Sequence, residues 1–169
     1  MKKKYLILLC LLLCKVFIVS AQNEKFKALF IYNYTKYIEW PTSQRDGDFV
    51  IGVLGNSTLA DELKTISQKQ KVGNRNIVVK VFSTADEIDN CHILFIASGK
   101  SSALPSAIQK SSGRSTLIIT DKDGLARQGA CINFVTDGSK LNYEISKQNI
   151  EKNGLSVSSS LLSLGKPVE

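Results

Sequence analysis

The chain has 169 residues, 43% of them hydrophobic, with 22 basic and 15 acidic side chains and a formal net charge of +7. Four of the basic residues and none of the acidic ones lie in the first 21 residues, so the rest of the chain carries 18 − 15 = +3. Because this small excess is spread along the chain, the composition excludes a nucleic-acid-binding protein, whose basic residues cluster on one face.

The first 21 residues have the pattern of a secretory signal peptide. A charged start, Lys2–Lys4, precedes an apolar stretch that ends in Val19-Ser20-Ala21, the small-residue ending of a cleavage site. We predict cleavage after Ala21 and a mature chain, residues 22–169, that forms a single domain. The alternative, an uncleaved membrane anchor, is less favoured because Lys15 interrupts the apolar stretch, which is slightly short for a span.

The first predicted element of the mature chain is a helix from Asn23 to Trp40, ended by Pro41. One face repeats at helical spacing, and we assign its apolar residues to the core: Phe26, Leu29, Phe30, Tyr37 and Trp40. A second apolar row makes the stripe wider than one sheet face needs. Because exposed aromatic side chains are enriched at contact surfaces, we predict that this row binds a partner or a second copy of the chain. The row consists of Ile31, Tyr32, Tyr34 and Ile38.

Strands and helices then alternate along the chain. The predicted apolar strands are Phe49–Leu54, Asn76–Phe82, Cys91–Ala97 and Ser115–Thr120, with helices at Leu59–Gln68 and Ser101–Lys110. The hairpin signal Asp137-Gly138 joins the strands Cys131–Val135 and Leu141–Ile145, and the helices Lys147–Lys152 and Ser158–Leu164 follow. This order predicts an α/β fold of three layers, a mostly parallel sheet flanked by helices, with an antiparallel C-terminal hairpin.

Short polar segments follow the predicted strands at their carboxyl ends, where ligands bind in open α/β sheets. A small metabolite bound there could bias the free and partner-bound forms if it bound one of them better. The candidate ligand-binding residues are Asn56, Ser57, Ser98, Gly99, Ser101, Thr120 and Asp121. The alternative is that these residues are ordinary caps and turns.

Catalytic and metal-binding patterns are weak in this sequence. The segment SGKSS, residues 98–102, has Leu94 where a phosphate loop needs a glycine. The single histidine, His92, lies inside a predicted strand with no nucleophile motif nearby, so we interpret it as a packed, hydrogen-bonded residue. The adjacent side chains of Cys91 and His92 would point to opposite faces of that strand. We therefore predict no enzyme, no metal site and no cofactor.

Four segments in order resemble the YfiR/HmsC family of exported bacterial regulators. They are KALFIYNYTKYIEWP (27–41), FVIGVLGNSTL (49–59), CHILFI (91–96) and the tail from INFV to LGKPV (132–168). The resemblance implies a periplasmic protein without enzymatic activity. Such a protein represses an inner-membrane signalling protein, a diguanylate cyclase or a sensor histidine kinase, by binding its periplasmic sensor domain. The alternative is a periplasmic protein that binds a small molecule.

The resemblance also bears on the two cysteines of the mature chain, Cys91 and Cys131. The family's first strand often carries a cysteine that pairs with the one opening the CHIL strand, but here the strand reads Gly52-Val53-Leu54. Cys91 has therefore lost this mate, and Cys131 is the one candidate left, provided that the Cα atoms lie within about 7 Å. We predict two free, buried thiols rather than a disulfide.

Overall fold

The computed structural model describes residues 22–138 and 140–169, without the side chain of Ser57. The predicted signal peptide and its cleavage site lie outside the described residues. None of the described helices has the length and apolar character that crossing a bilayer requires.

Five helices lie in the described part of the chain. Helix α1 covers residues 22–34 of that part, and the others are α2 (Ser57–Ser67), α3 (Leu104–Ser111), α4 (Lys147–Lys152) and α5 (Ser159–Leu164). Three of them begin after a side chain that accepts a hydrogen bond from a free backbone N–H of the first turn, which fixes where each helix starts. These capping residues are Asn56 before α2, Ser146 before α4 and Ser158 before α5.

Ten strands form two sheets. They are β1 (Ile38–Glu39), β2 (Phe49–Leu54), β3 (Lys71–Val72), β4 (Arg75–Phe82), β5 (Ile93–Ile96), β6 (Leu117–Thr120), β7 (Ile132–Asp137), β8 (Lys140–Ile145), β9 (Ser156–Val157) and β10 (Lys166–Pro167). The large sheet has the order β10-β8-β7-β6-β5-β2-β4-β3, and β1 pairs with β9 in a separate antiparallel sheet. Strands β4, β2, β5, β6 and β7 are parallel, and β8 is antiparallel to β7. The predicted fold class, including the C-terminal hairpin, is confirmed.

The core lies on both faces of the central strands. Every residue of β5 and β6 is buried, as expected for a parallel sheet covered on its two faces. Strand β4 pairs on one side of β2 and β5 on the other, so the chain reverses its direction across the sheet at β2. The crevice beyond the carboxyl ends of β2 and β5 is therefore the switch point at which ligands bind in such sheets.

The first helix differs from its prediction in length and in rotation. It ends at residue 34, and Ile38 is part of β1, where it pairs with Val157. Its buried row is Ala28, Ile31 and Tyr34, whereas Phe26, Leu29 and Tyr37, which we predicted for the core, are exposed. The predicted assignment of the two rows is thus wrong for these residues.

The predicted contact row is correspondingly buried. Ile31, Tyr34 and Ile38 are 0%, 1% and 4% exposed and cannot meet a partner in this conformation. Tyr32 alone remains partly accessible, and its hydroxyl donates to Gln70 Oε1 at 3.1 Å. The reason is that both rows are apolar, so periodicity gives the period of the helix but not which row faces the sheet.

Candidate functional site

The exposed face of α1 and the turn after it carry an apolar stripe. Phe26, Leu29 and Tyr37 are 44%, 41% and 36% exposed, and Asn33 lies between them at helical spacing. Large apolar side chains grouped on a surface mark contact sites more often than isolated ones do. This stripe is the one that we predicted for the core. Asn33 is the sequence signal that could have identified it as the solvent-facing row.

A cavity of about 400 Å³ lies between α1, β8 and α5, beside this stripe. Its apolar lining is formed by Phe30, Tyr34, Tyr37, Tyr143, Leu161 and Leu164. Leu164 is 69% exposed, so one wall of the cavity is an accessible leucine. A concave, mainly apolar surface of this size can hold a small molecule or the side chains of a protein partner.

Three aromatic rings of this lining, those of Phe30, Tyr34 and Tyr143, pack together, and Phe134 packs against them. The centroid of the Tyr34 ring lies 6.2 Å from the ring centroids of Phe30 and Phe134. It lies 5.4 Å from that of Tyr143, which it meets edge to face. The Tyr143 hydroxyl donates to Leu161 O at 3.0 Å, whereas the Tyr34 hydroxyl is buried with no hydrogen-bond partner among the described residues. Burial raises the pKa of Tyr34 well above its ordinary value, so its hydroxyl stays protonated and is an unused donor.

A second cavity, of about 530 Å³, continues the first toward the start of α1. The two share Phe30 and Asn142, and together we call them the α1 groove. The second cavity adds Gln22, Asn23, Phe26, Lys140 and Leu141 to the lining. The charged residues among those that line the groove are Lys36 and Lys140, and none of the lining residues is acidic.

The predicted ligand-binding residues gather at the carboxyl ends of β2, β5 and β6, but most of their described side chains have structural partners. Asn56 caps α2 through Oδ1 and donates to Glu24 Oε2 at 2.8 Å. Thr120 is fully buried and donates to Asn133 Oδ1 at 2.7 Å. Ser98, Gly99 and Ser101 lie in a 3-10 segment, and Ser101 Oγ accepts from Lys122 at 3.1 Å. These contacts are those of caps and packing residues, and the α1 groove is lined by other residues.

Asp121, the last of the predicted ligand-binding residues, belongs to a partly buried charge cluster at the switch point. Lys27 Nζ donates to Asp121 Oδ2 at 2.7 Å and to Glu24 Oε1 at 2.9 Å, and these side chains are 9–12% exposed. Burial alone would lower the pKa of Lys27, but the hydrogen bonds to Asp121 and Glu24 outweigh it and the pKa is raised. A cation of the chain's own first helix therefore already pairs with the carboxylate that follows β6.

His92 is buried and hydrogen-bonded, as predicted. Its Nδ1 accepts from Val50 N at 3.0 Å, which leaves the ring proton on Nε2, 3.0 Å from Gln44 O and 2.7 Å from Arg75 Nη2. Arg75 donates to backbone carbonyls between Gln44 and Asp48 and so holds that loop. Burial lowers the pKa of His92, the hydrogen bond to Gln44 O opposes this effect, and the charge of Arg75 adds to it. Protonation would break the Val50 bond and place a second cation beside Arg75.

The two described cysteines are free and buried. Burial raises the pKa of Cys91 and of Cys131 to about 12. A Cβ built on Gly52 would lie 3.3 Å from Cys91 Sγ, so Cys91 faces the strand on which the related proteins often have its cysteine partner. Burial and the raised pKa both disfavour the reactive thiolate form of these side chains. No group of three or more histidine, cysteine, aspartate or glutamate side chains is placed to hold a metal ion in the described residues.

Comparisons with known proteins add to this geometry. The sequence model of the YfiR/HmsC-like family matches residues 24–166. No curated protein matches the chain. Eight chains of solved structures do, among them the ABC domain from Streptococcus pneumonia, solved in complex with L-Trp. That match has a TM-score of 0.54 and 13% identity over 72% of this chain, and it spans 55% of the other chain's length. At this identity, the likeness concerns the fold.

Proposed function

The chain belongs to the YfiR/HmsC-like family, and on this premise we propose that it represses a membrane-bound signalling enzyme, a diguanylate cyclase or a sensor histidine kinase, by binding its periplasmic sensor domain. The family match points to a periplasmic protein whose role is regulation rather than catalysis. The partner's identity, the exported location and the output through cyclic-di-GMP and biofilm formation are part of the proposal.

The observation that carries the proposal is the exposed apolar stripe beside the α1 groove. Phe26, Leu29 and Tyr37 leave water only if something covers them, and aromatic and leucine side chains around a concave surface provide the anchors of a protein contact. The groove is formed by α1, β8 and α5 of the chain itself, so a partner would meet a surface that is already shaped. A preformed surface lowers the entropy lost on association.

Affinity capture from detergent-solubilised envelope membranes tests this proposal. The wild-type protein should enrich a transmembrane diguanylate cyclase or sensor histidine kinase. The Leu29→Glu variant should capture at least tenfold less of this enzyme. Val81→Glu is the matched control, since Val81 is 48% exposed on a distant strand. Equal capture by all three proteins, each folded by its melting curve, would remove the stripe from the interface. Failure of the wild-type protein to enrich any membrane signalling protein would contradict the function itself.

A second candidate function is a periplasmic small-molecule sensor, and the Tyr34 hydroxyl favours it. A buried donor without a partner costs about 1–3 kcal/mol, which a ligand carrying an acceptor could recover. The cavity of about 400 Å³ beside Tyr34 is large enough for such a ligand. Melting of the purified protein across a metabolite panel tests this function. A ligand that raises the melting temperature of the wild-type protein, but not that of Tyr34→Phe, would support it, and a flat panel would count against it.

A further inference from the structure

Strand β8 has a free outer edge next to the α1 groove. On its inner side it pairs with β7 along its whole length, from Lys140 to Ile145. On its outer side, β10 pairs only with Glu144 and Ile145. The segment Lys140–Tyr143 therefore has no strand partner on that side among the described residues, although the bridge of Lys166 to Glu144 already uses the Tyr143 carbonyl. An unpaired side is a template for another strand.

The direction of the free backbone groups follows from one hydrogen bond. Val168 N donates to Ile145 O at 2.9 Å, so the backbone carbonyl of Ile145 points outward. Because residues along an antiparallel strand alternate between its two neighbours, Tyr143 and Leu141 also direct their backbone groups outward. The free edge thus offers the N–H and C=O of Leu141 to an incoming chain.

The two sides of this edge differ in chemistry. The Tyr143 ring lies on the α1 side, in contact with Tyr34, and Leu141 shares that side because side chains alternate along a strand. Lys140 alternates to the other side but, as the first residue of the strand, it also borders the second cavity of the α1 groove. Alternate side chains of an incoming strand would therefore face the apolar surface on the α1 side. The side chains between them would face Lys140.

The charged residues around the α1 groove favour a partner segment of one charge. Lys36 and Lys140 line the α1 groove, and no aspartate or glutamate is among its lining residues. A partner segment with acidic side chains would be attracted to this rim, whereas a basic segment would be repelled. The free length of four residues, at about 3.3 Å each, fits a short strand of about 13 Å, ending where β10 begins.

We propose that the partner's periplasmic sensor domain adds a short extended segment to β8 along Lys140–Tyr143, with apolar residues toward the α1 groove and acidic residues toward Lys140. The inference rests on the proposed function and specifies its mode of contact. Strand addition supplies affinity through the backbone and specificity through the alternating side chains.

The opposite edge of the sheet is the natural competitor. Strand β3 pairs with β4 only at Arg75 and Asn76, so the backbone of Ile77–Phe82 is also free on that side among the described residues. Val81 on this edge is 48% exposed. Neither cavity of the α1 groove touches β4, so this edge offers backbone groups without the adjoining apolar surface and cationic rim.

Photocrosslinking of the full-length protein in the cell that makes it tests the inference. Photoreactive benzoylphenylalanine replaces Leu141, Leu29 or Val81 in turn, and mass spectrometry identifies the crosslinked peptide. We expect position 141 to crosslink an acidic, alternating segment in the periplasmic domain of a membrane signalling protein, at least tenfold more than position 81 does.

The alternative outcomes separate the two levels of the account. A crosslink to a membrane signalling protein from position 29 but not from 141, or equally from 81, would overturn strand addition and leave the proposed function standing. A crosslink from position 141 to a second copy of this chain would overturn it as well. If none of the three positions crosslinks a membrane signalling protein, the proposed function falls. As a second measurement, Leu141→Pro, which removes the free N–H, should reduce capture at least tenfold, whereas Leu141→Val should retain it.

Discussion

The rings of Tyr34 and Tyr143 meet edge to face at 5.4 Å, yet of their two hydroxyls only that of Tyr143 has a hydrogen-bond partner among the described residues. Both rings stabilise the same contact between α1 and β8. The polar ends of the two side chains therefore contribute with opposite sign to the stability of that contact.

The first prediction separates the two hydroxyls. Tyr34→Phe removes a buried donor without a partner, so the free energy of unfolding should stay level or rise by up to about 1 kcal/mol. Tyr143→Phe removes a bonded hydroxyl and leaves Leu161 O without its donor, so it should lower the free energy by about 1 kcal/mol. Urea denaturation of both variants measures the difference. A larger loss for Tyr34→Phe than for Tyr143→Phe would show that the Tyr34 hydroxyl has a partner.

The second prediction concerns the two apolar rows of α1. Leu29→Ser, on the exposed row, should change the free energy of unfolding by less than about 0.5 kcal/mol. Ile31→Ser, on the buried row, should cost about 3 kcal/mol or more, since it leaves a cavity and buries a hydroxyl. Thermal and urea unfolding of the two variants check the rotation of the helix. Equal losses at both positions would contradict it.

The third prediction uses the charge cluster at the switch point. Lys27→Met leaves the carboxylates of Glu24 and Asp121 without their cation, and it should lower the free energy of unfolding by about 2–4 kcal/mol at pH 7. Lys64→Met breaks an ion pair whose two side chains are mostly exposed, and it should change little. Chemical denaturation of both variants, compared at the same salt concentration, tells the two cases apart. A loss at Lys27 no larger than that at Lys64 would mean that the cluster is solvated.

The fourth prediction is a dependence of stability on pH through His92. Its pKa in the folded protein is lowered below 6.5, so the unfolded chain binds a proton at higher pH than the folded protein does. Stability should be fully present above about pH 6.5 and should fall as the pH decreases toward the folded pKa, by at most about 1.4 kcal/mol per pH unit. His92→Asn, which keeps an acceptor near Nδ1 and cannot titrate, should remove this part of the slope between pH 7 and 5.5. An unchanged slope in that variant would assign the dependence to other groups.

The fifth prediction concerns the thiols. With pKa values of about 12, only about one in 10⁴ of the Cys91 and Cys131 side chains is a thiolate at pH 8, and both are buried. Iodoacetamide should label the native protein slowly, and both thiols should react in denaturant. The measured mass of the unreduced protein should equal the mass calculated for a chain in which both cysteines are free thiols. A mass lower by the two hydrogens of a disulfide would contradict the free thiols.

The fold could be predicted from local signals because the apolar runs of the sheet are continuous and bounded by turns. Strand β2 has the predicted bounds, and strands β7 and β8 form the hairpin that was predicted around the Asp137-Gly138 turn. Strands β1, β3, β9 and β10 escaped prediction. Each has two residues, which is too short for a period to be detected, and their pairing depends on distant segments.

The candidate site could be predicted only in part. The sequence analysis singled out the aromatic helix but assigned its rows the wrong way round, because Asn33 is the only local signal of the exposed row and the helix is held by long-range contacts such as the Lys27–Asp121 pair across 94 positions of sequence. The α1 groove likewise combines α1 with β8 and α5, more than 100 positions away. Polar residues at the strand ends were predicted as a ligand site because the fold class favours that place. In this chain, Lys27 pairs with one of these residues, Asp121.

The central claim is that this protein acts by touching a membrane signalling enzyme from the periplasmic side. Spheroplasts of a strain that lacks its gene, which expose that side, provide the direct test once the enzyme has been captured. Purified protein, residues 22–169, should lower the cyclase or kinase activity to the level of the parent strain, and Leu29→Glu should leave it high. Activity that stays unchanged on adding the folded wild-type protein would contradict the account.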